Sequence, residues 1–307
     1  MLMGSKFGIT LSAADSTKAN FFIDSAIAEI SRIEFLISDW KANTQVSEIN
    51  RNAGLKPVKV DKEVFDLTKR AIKLSEITNG AFDISFAAME KIWKFDGSIT
   101  QLPTAEEIKN SISKVGYKNI ILDSINSTVF LKLKGMKIGF GALGEGYAAD
   151  RCYEILMKHK IFSGLINGSG DIRCWSDSIL WKIGINNPFN SGELLAVIPL
   201  QNSAITTSGS YEKFAEINGK RYSHIINPST GYPATGLISV TVIGPSAEIA
   251  NGLSTSIMVL GKKKGLKLLK KFKDYKAILI ADSHKIYLSC NLKKREWEKW
   301  KASVTVH

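Results

Sequence analysis

The chain predicts an α+β protein, and two observations carry that reading. Apolar residues recur at helical spacing in several long stretches, and short apolar runs separated by turn residues come in pairs that read as hairpins. Over residues 17–38, Phe22, Ala26, Ile30, Ile33 and Ile37 line one side of a helix. A second helix is predicted over 62–78, opened by Asp61 and stopped at Asn79-Gly80. A third starts at Thr104, after Pro103, where Thr104 and Glu107 have the spacing of a capping box. Strands follow at 119–123, 127–133 and 136–140, then a helix from Tyr147 to His159. Further strands are predicted at 164–167, 181–186, 195–200 and 238–243, helices at 247–260 and 263–272, a hairpin over 277–289, and a polar helix or loose end at 293–300.

Bulk composition narrows the class. With 307 residues and 44% apolar composition the chain can bury a substantial core, as one large domain or two smaller ones. Charged residues make up 23%, and prolines number only 7, which excludes a disordered chain. No apolar run approaches the roughly 20 residues a membrane-spanning helix requires. Cys152, Cys174 and Cys290 have neither zinc-type spacing nor a disulfide pattern, so buried free thiols are expected. The net charge of +12 fits nucleic acid, an anionic membrane or a phosphate-bearing ligand. No zinc finger or RNA-binding aromatic motif accompanies it, so no nucleic-acid partner is expected. The densest basic run, Lys262-Lys263-Lys264 through Lys273, reads as the solvated face of an amphipathic helix.

Four segments carry chemistry. Ser223-His224-Ile225-Ile226-Asn227-Pro228-Ser229-Thr230-Gly231-Tyr232-Pro233 puts an imidazole beside an apolar pair and a rigid turn. A buried pair and a fixed turn aim the imidazole, and a neutral imidazole accepts a proton near pH 7. A structural histidine is the plain alternative. Thr206-Thr207-Ser208-Gly209-Ser210-Tyr211 is a small hydroxyl-rich turn. Ala250-Asn251-Gly252-Leu253-Ser254-Thr255 puts Asn251 and Thr255 one helical turn apart. Gly139-Phe140-Gly141-Ala142-Leu143-Gly144-Glu145-Gly146 turns a strand into a helix, and its three glycines match a dinucleotide fingerprint. The nicotinamide reading is set aside, because no acidic residue ends a second parallel strand about 20 residues on. What survives is that glycine lets backbone approach a phosphate, and that a helix start favours negative charge.

Together these segments, in this order, resemble the FAD:protein FMN transferases, the ApbE-like flavin transferases, from Leu2-Met3-Gly4-Ser5 to about Gly261. The resemblance implies a single domain over 1–307 with an ApbE-like, T-fold-like architecture of two packed lobes and the flavin nucleotide between them. It implies Mg2+-dependent transfer of FMN from FAD to a threonine hydroxyl of a target flavoprotein bearing an Asp…Ser/Thr-x-Ala-Thr-type motif, with release of AMP. It assigns His224 to the proton and to the flavin nucleotide. The nucleotide contacts it implies are Met3, Gly4, Ser5, Trp40 against the isoalloxazine ring, Asp83 and Asp171 towards the adenosine end, Gly141, Glu145, Gly146, Thr207, Ser208 and Gly209. The metal ligands it implies are the Gly144 carbonyl, Asn251 and Thr255. It also implies export, with a removed lipoprotein signal and membrane association, at the periplasmic or extracytoplasmic face of the inner membrane; the alternative is cytoplasmic.

Four residues depart from the family pattern: Asn227 and Ser229 stand where aspartate and arginine are frequent, which reduces electrostatic help from that turn, and two more departures touch the metal and the pyrophosphate. Glu145 stands where a lysine is usual, and Asn251 where an aspartate is usual. An anion beside a pyrophosphate weakens binding unless it faces a metal, and an amide ligates without charge. Both departures predict weakened or relocated metal binding. They keep two rivals open: an FAD pyrophosphatase releasing FMN and AMP, and a catalytically weakened FAD-binding protein.

Overall fold

The structure is a computed structural model that describes residues 1–12, 15–211 and 213–302. Its elements in chain order are β1 (Phe7–Leu11), α1 (Ser16–Ile37), α2 (Gln45–Arg51), β2 (Val58–Lys59), α3 (Lys62–Thr78), α4 (Ala105–Ser111), β3 (Ile120–Asp123), β4 (Thr128–Leu131), α5 (Gly144–Lys158), β5 (Gly164–Gly168), β6 (Asp171–Trp175), β7 (Trp181–Asn186), β8 (Leu194–Leu200), β9 (Ser203–Gly209), β10 (Phe214–Ile217), β11 (Lys220–Ser223), β12 (Leu237–Gly244), α6 (Ala247–Leu269), β13 (Lys276–Ala281), β14 (Ile286–Leu288) and α7 (Lys294–Ala302). Short 3-10 turns cover Ile84–Ala88 and Tyr117–Asn119.

A seven-stranded antiparallel sheet, in the order β1-β5-β6-β9-β12-β13-β14, organises the molecule. Successive strand residues point to opposite faces, and the core divides accordingly. Ala204, Val240, Val242, Ala277 and Leu279 join the larger core with α1, α3, α5 and α6. Ile172, Cys174, Ile205, Ile278 and Ile280 face the other way, onto the β7–β8 hairpin and Trp297 of α7. Smaller sheets are β2-β4-β3, β7-β8 and β10-β11.

Local chemistry accounts for the helix ends. Thr104 and Glu107 form the reciprocal capping box at the start of α4. Asn79 closes α3 in the left-handed conformation, where asparagine is tolerated. Asp61 occupies the cap position of α3 but makes no capping bond; its carboxylate accepts from Gln45 Nε2 at 2.6 Å instead. The helix runs predicted over 247–260 and 263–272 form one element, α6, broken at Gly261, whose φ of 70° and ψ of 175° are open to glycine alone.

Three expectations need correction. The stretch 206–209 is not a turn but the end of β9, paired with β12. Residues 136–140 are not a strand. Ile138 exchanges two hydrogen bonds with the Asn50 side chain, at 2.8 and 2.9 Å, and Gly139 N–H donates to the Ile84 carbonyl at 3.0 Å. A side-chain amide therefore takes the place of a neighbouring strand. Of the three thiols, Cys152 and Cys174 are buried but Cys290 is exposed, just beyond β14. Among the described residues, no helix is long and apolar enough to cross a membrane.

Candidate active-site cleft

A cleft of about 800 Å³ opens where β6 begins and β9 ends, between the N-terminal turns of α5, the middle of α6 and the segment after β11. It is in the size range of small-molecule sites. Of the residues expected at the site, it gathers Ser5, Asp83, Gly141, Glu145, Asp171, Thr207, Ser208, Gly209, His224, Asn251 and Thr255.

Each arrives by a distinct local device. Asp171 opens β6 immediately after the tight turn Ser169-Gly170, whose residues both have positive φ, the backbone that joins two antiparallel strands most readily. Asn167 Oδ1 accepts from Gly170 N–H at 2.8 Å and fixes that turn. Asp171 faces α6, where the Asn251 amide donates to its carboxylate. Burial pushes the Asp171 carboxyl well above the usual carboxylate range, and the Glu145 charge adds to the rise. Glu145, in the first turn of α5, accepts from Ser5 Oγ. Burial raises its pKa too, opposed by that hydrogen bond and by the Lys213 charge.

Ser208 and Thr255 connect β9 to α6. Ser208 Oγ lies 2.8 Å from Ser254 Oγ and 3.3 Å from Thr255 Oγ1. Thr207 turns to the other side and shares a 2.8 Å bond with Thr241 Oγ1. Gly209 makes room for an aromatic ring, since a Cβ there would lie 2.4 Å from Tyr211 Cε1. Asp83 has structural employment: its carboxylate accepts from Ser85 N–H, Ser85 Oγ and Tyr117 N–H at 2.6 to 2.8 Å. Burial nonetheless holds its pKa above the usual value.

His224 follows β11. Its Nδ1 lies 2.9 Å from the Lys213 carbonyl, which also receives the His224 backbone N–H at 3.3 Å. A carbonyl only accepts, so Nδ1 carries the ring proton and Nε2 is the basic nitrogen of the neutral ring. The turn beyond is locked: Gly231 N–H donates to the Asn227 carbonyl at 2.8 Å, and Trp93 Nε1 donates to the Gly231 carbonyl at 2.9 Å. Ile226 is buried with Trp93 and Ile108 beneath it.

Five expected residues lie outside the cleft wall. Trp40 is 60% exposed in the α1–α2 connection, where bonds among Ser38, Lys41 and Ser47 shape the chain. Met3 is buried; its Cε would sit 3.0 Å from a Cβ on Gly144, which is itself buried as the first residue of α5. Gly4 is exposed beside it, with φ of 77°. Gly146 is a packing glycine, since a Cβ there would lie 2.5 Å from the Ala247 carbonyl of α6. Conversely, the wall includes Phe86, Lys213 and Ile183 and Ile185 of β7, which lie in none of the motifs, beside Tyr211 at the end of the hydroxyl-rich segment. Lys213 lies two residues beyond that segment, the one signal that points to it.

The oxygen set fits a hard divalent cation. A buried carboxylate, Asp171, and a half-buried one, Glu145, line the cleft with the Asn251 amide and the Thr255 hydroxyl, and the Glu145 charge felt at Asp171 is a like-charge repulsion that a bound cation would relieve. Among the described residues no cluster of three or more His, Cys, Asp or Glu forms a metal centre, so amide and hydroxyl oxygens would complete the set.

Comparison with known proteins gives a consistent result. A profile described as the ApbE family matches residues 3–279. An FAD:protein FMN transferase of Klebsiella pneumoniae is 32% identical over 291 residues, covering 94% of this chain and 90% of that protein. One from Treponema pallidum is 29% identical, covering 85% and 77%. The crystal structure of the ApbE protein from Thermotoga maritima superimposes with a TM-score of 0.86 at 29% identity, over 98% of this chain and 97% of that one. With a profile match over most of its length, this chain belongs to the ApbE family.

Proposed function

We propose that this chain is an FAD:protein FMN transferase that moves FMN from FAD to a threonine hydroxyl of a flavoprotein. The observation that carries this reading is convergence. Segments spread from Ser5 to Thr255 meet in one cleft, where a hydrogen-bonded imidazole stands with carboxylate, amide and hydroxyl oxygens. Relatives bearing the transferase name over nearly the same length support it.

In this reaction the acceptor hydroxyl attacks the phosphorus on the FMN side of FAD. The new bond is a threonine phosphodiester, the bond to the bridging oxygen breaks, and AMP leaves with that oxygen. His224 Nε2 takes the hydroxyl proton, while the Lys213 carbonyl holds Nδ1–H and keeps the ring oriented. Asn251 and Thr255 would hold Mg2+, with the Gly144 carbonyl as the ligand expected from the family and Asp171 and Glu145 supplying negative charge. Bound there, the cation neutralises charge on the diphosphate. The pairing of Asn251 with Asp171 bears on the departure at position 251: the amide donates to a neighbouring carboxylate, so the charge that Asn251 lacks stands beside it.

Incubation of the protein with FAD, Mg2+ and an acceptor peptide, followed by mass spectrometry, tests the proposal. An increment of FMN phosphate ester on the threonine is expected. Free FMN and AMP alone would make the chain a pyrophosphatase, and intact FAD would make it a binder; either result overturns the transferase reading.

A further inference from the structure

The cleft is short of positive charge. Among the described residues, its wall contains three carboxylates, Asp83, Glu145 and Asp171, and a single lysine or arginine, Lys213. Two of those carboxylates stand where the reading above puts the diphosphate of FAD. A diphosphate entering such a site meets repulsion that hydroxyls and amides do not cancel. Lys213 is placed to offset it. It directly precedes Phe214, which pairs with Ser223 in the β10–β11 hairpin, and its carbonyl takes the His224 backbone N–H at 3.3 Å. Lys213 and His224 are thus opposite one another one step beyond the paired strands, and side chains of opposed residues lie on the same face. Both line the cleft. The field of the lysine reaches Glu145 across it.

We propose that Lys213 is the residue of this chain that recognises the diphosphate of FAD, delivered to the reacting phosphorus by the same backbone pairing that orients His224. The proposal rests on the FAD reading above. Its structural basis is a division of labour within one residue: the Lys213 carbonyl fixes the imidazole, and the Lys213 ammonium meets the anion. A side-chain substitution therefore removes the second role and leaves the first in place.

The test is affinity for FAD and for riboflavin, which lacks phosphate, measured by flavin fluorescence on wild type, Lys213→Met and Lys213→Arg at low and high salt. Lys213→Met is expected to weaken FAD by about ten-fold or more, the loss of one charge-assisted contact, and to flatten the salt dependence. Riboflavin affinity is expected to stay unchanged, and Lys213→Arg to retain most of the FAD affinity. An equal loss for both ligands would show a merely structural role, and unchanged FAD affinity would remove Lys213 from recognition; either overturns the proposal. Wild type that binds riboflavin but gains nothing from the diphosphate also overturns it, whereas wild type that binds neither overturns the FAD reading beneath it.

Discussion

The Asp171–Asn251 contact concentrates the chemistry of the cleft in two side chains. A fully buried carboxylate is held by one amide from α6, with a second carboxylate, Glu145, near enough to raise its pKa further. A carboxyl whose folded pKa lies above its unfolded value of about 4 binds its proton more tightly in the native state. Its stabilising contribution is therefore complete below pH 4 and is lost as pH rises through the raised folded value. Asp171→Asn should accordingly raise the melting temperature of the metal-free protein at pH 8 by a few degrees, the shift of roughly 1 kcal/mol in a chain of this size. The gain should vanish towards pH 4; a difference that grows on acidification would show that Asp171 is not buried as an uncompensated acid. At His224 the expectation concerns rate. His224→Gln should lower kcat by about 100-fold or more, the usual contribution of a positioned base. FAD affinity measured by fluorescence should be nearly unchanged, and a comparable loss in both would assign His224 to binding instead.

Elements differ in how plainly the sequence announces them. The apolar stripe of α1, the capping box of α4 and the bounds of β7 were legible, because helical spacing, a reciprocal cap and alternation are local signals. β6 and β9 were not. Asp171-Ile172-Arg173-Cys174-Trp175 is buried along its whole length and carries charges at alternate positions, which resembles a turn until its partners in α5 and α6 are known. Ser203–Gly209 ends in hydroxyls that read as a loop, yet it pairs with both β6 and β12. The error at 136–140 has the same source, since only the distant Asn50 reveals that no strand completes the pairing. The α5–α6 crossing gives a prediction at this scale. Gly146 lets α5 approach the backbone of α6 at Ala247 and Glu248, where a Cβ would come within 2.9 Å of three backbone atoms. Gly146→Ala should destabilise the protein by about 1–3 kcal/mol by overpacking, read as a fall in the denaturation midpoint. An unchanged midpoint would mean that the helices part without cost.

At the scale of the whole molecule, seven antiparallel strands separate two cores, and the cleft forms at the end of the central strands, where both helix starts and strand ends are available. Convergence of this kind was legible only through the family resemblance: Ser5 and Thr255 are far apart in sequence, and no spacing rule brings them together. The resemblance in turn did not foresee Trp40 outside the wall or Lys213 within it. On the proposed function, this cleft breaks the diphosphate of FAD and passes the FMN phosphoryl to a hydroxyl. Phosphorus NMR of FAD incubated with the protein, Mg2+ and an acceptor peptide tests it most directly. The diphosphate signals should give way to one monoester, AMP, and one diester on the peptide; two monoesters and no diester, or diphosphate signals that persist, would rule out transfer at this cleft.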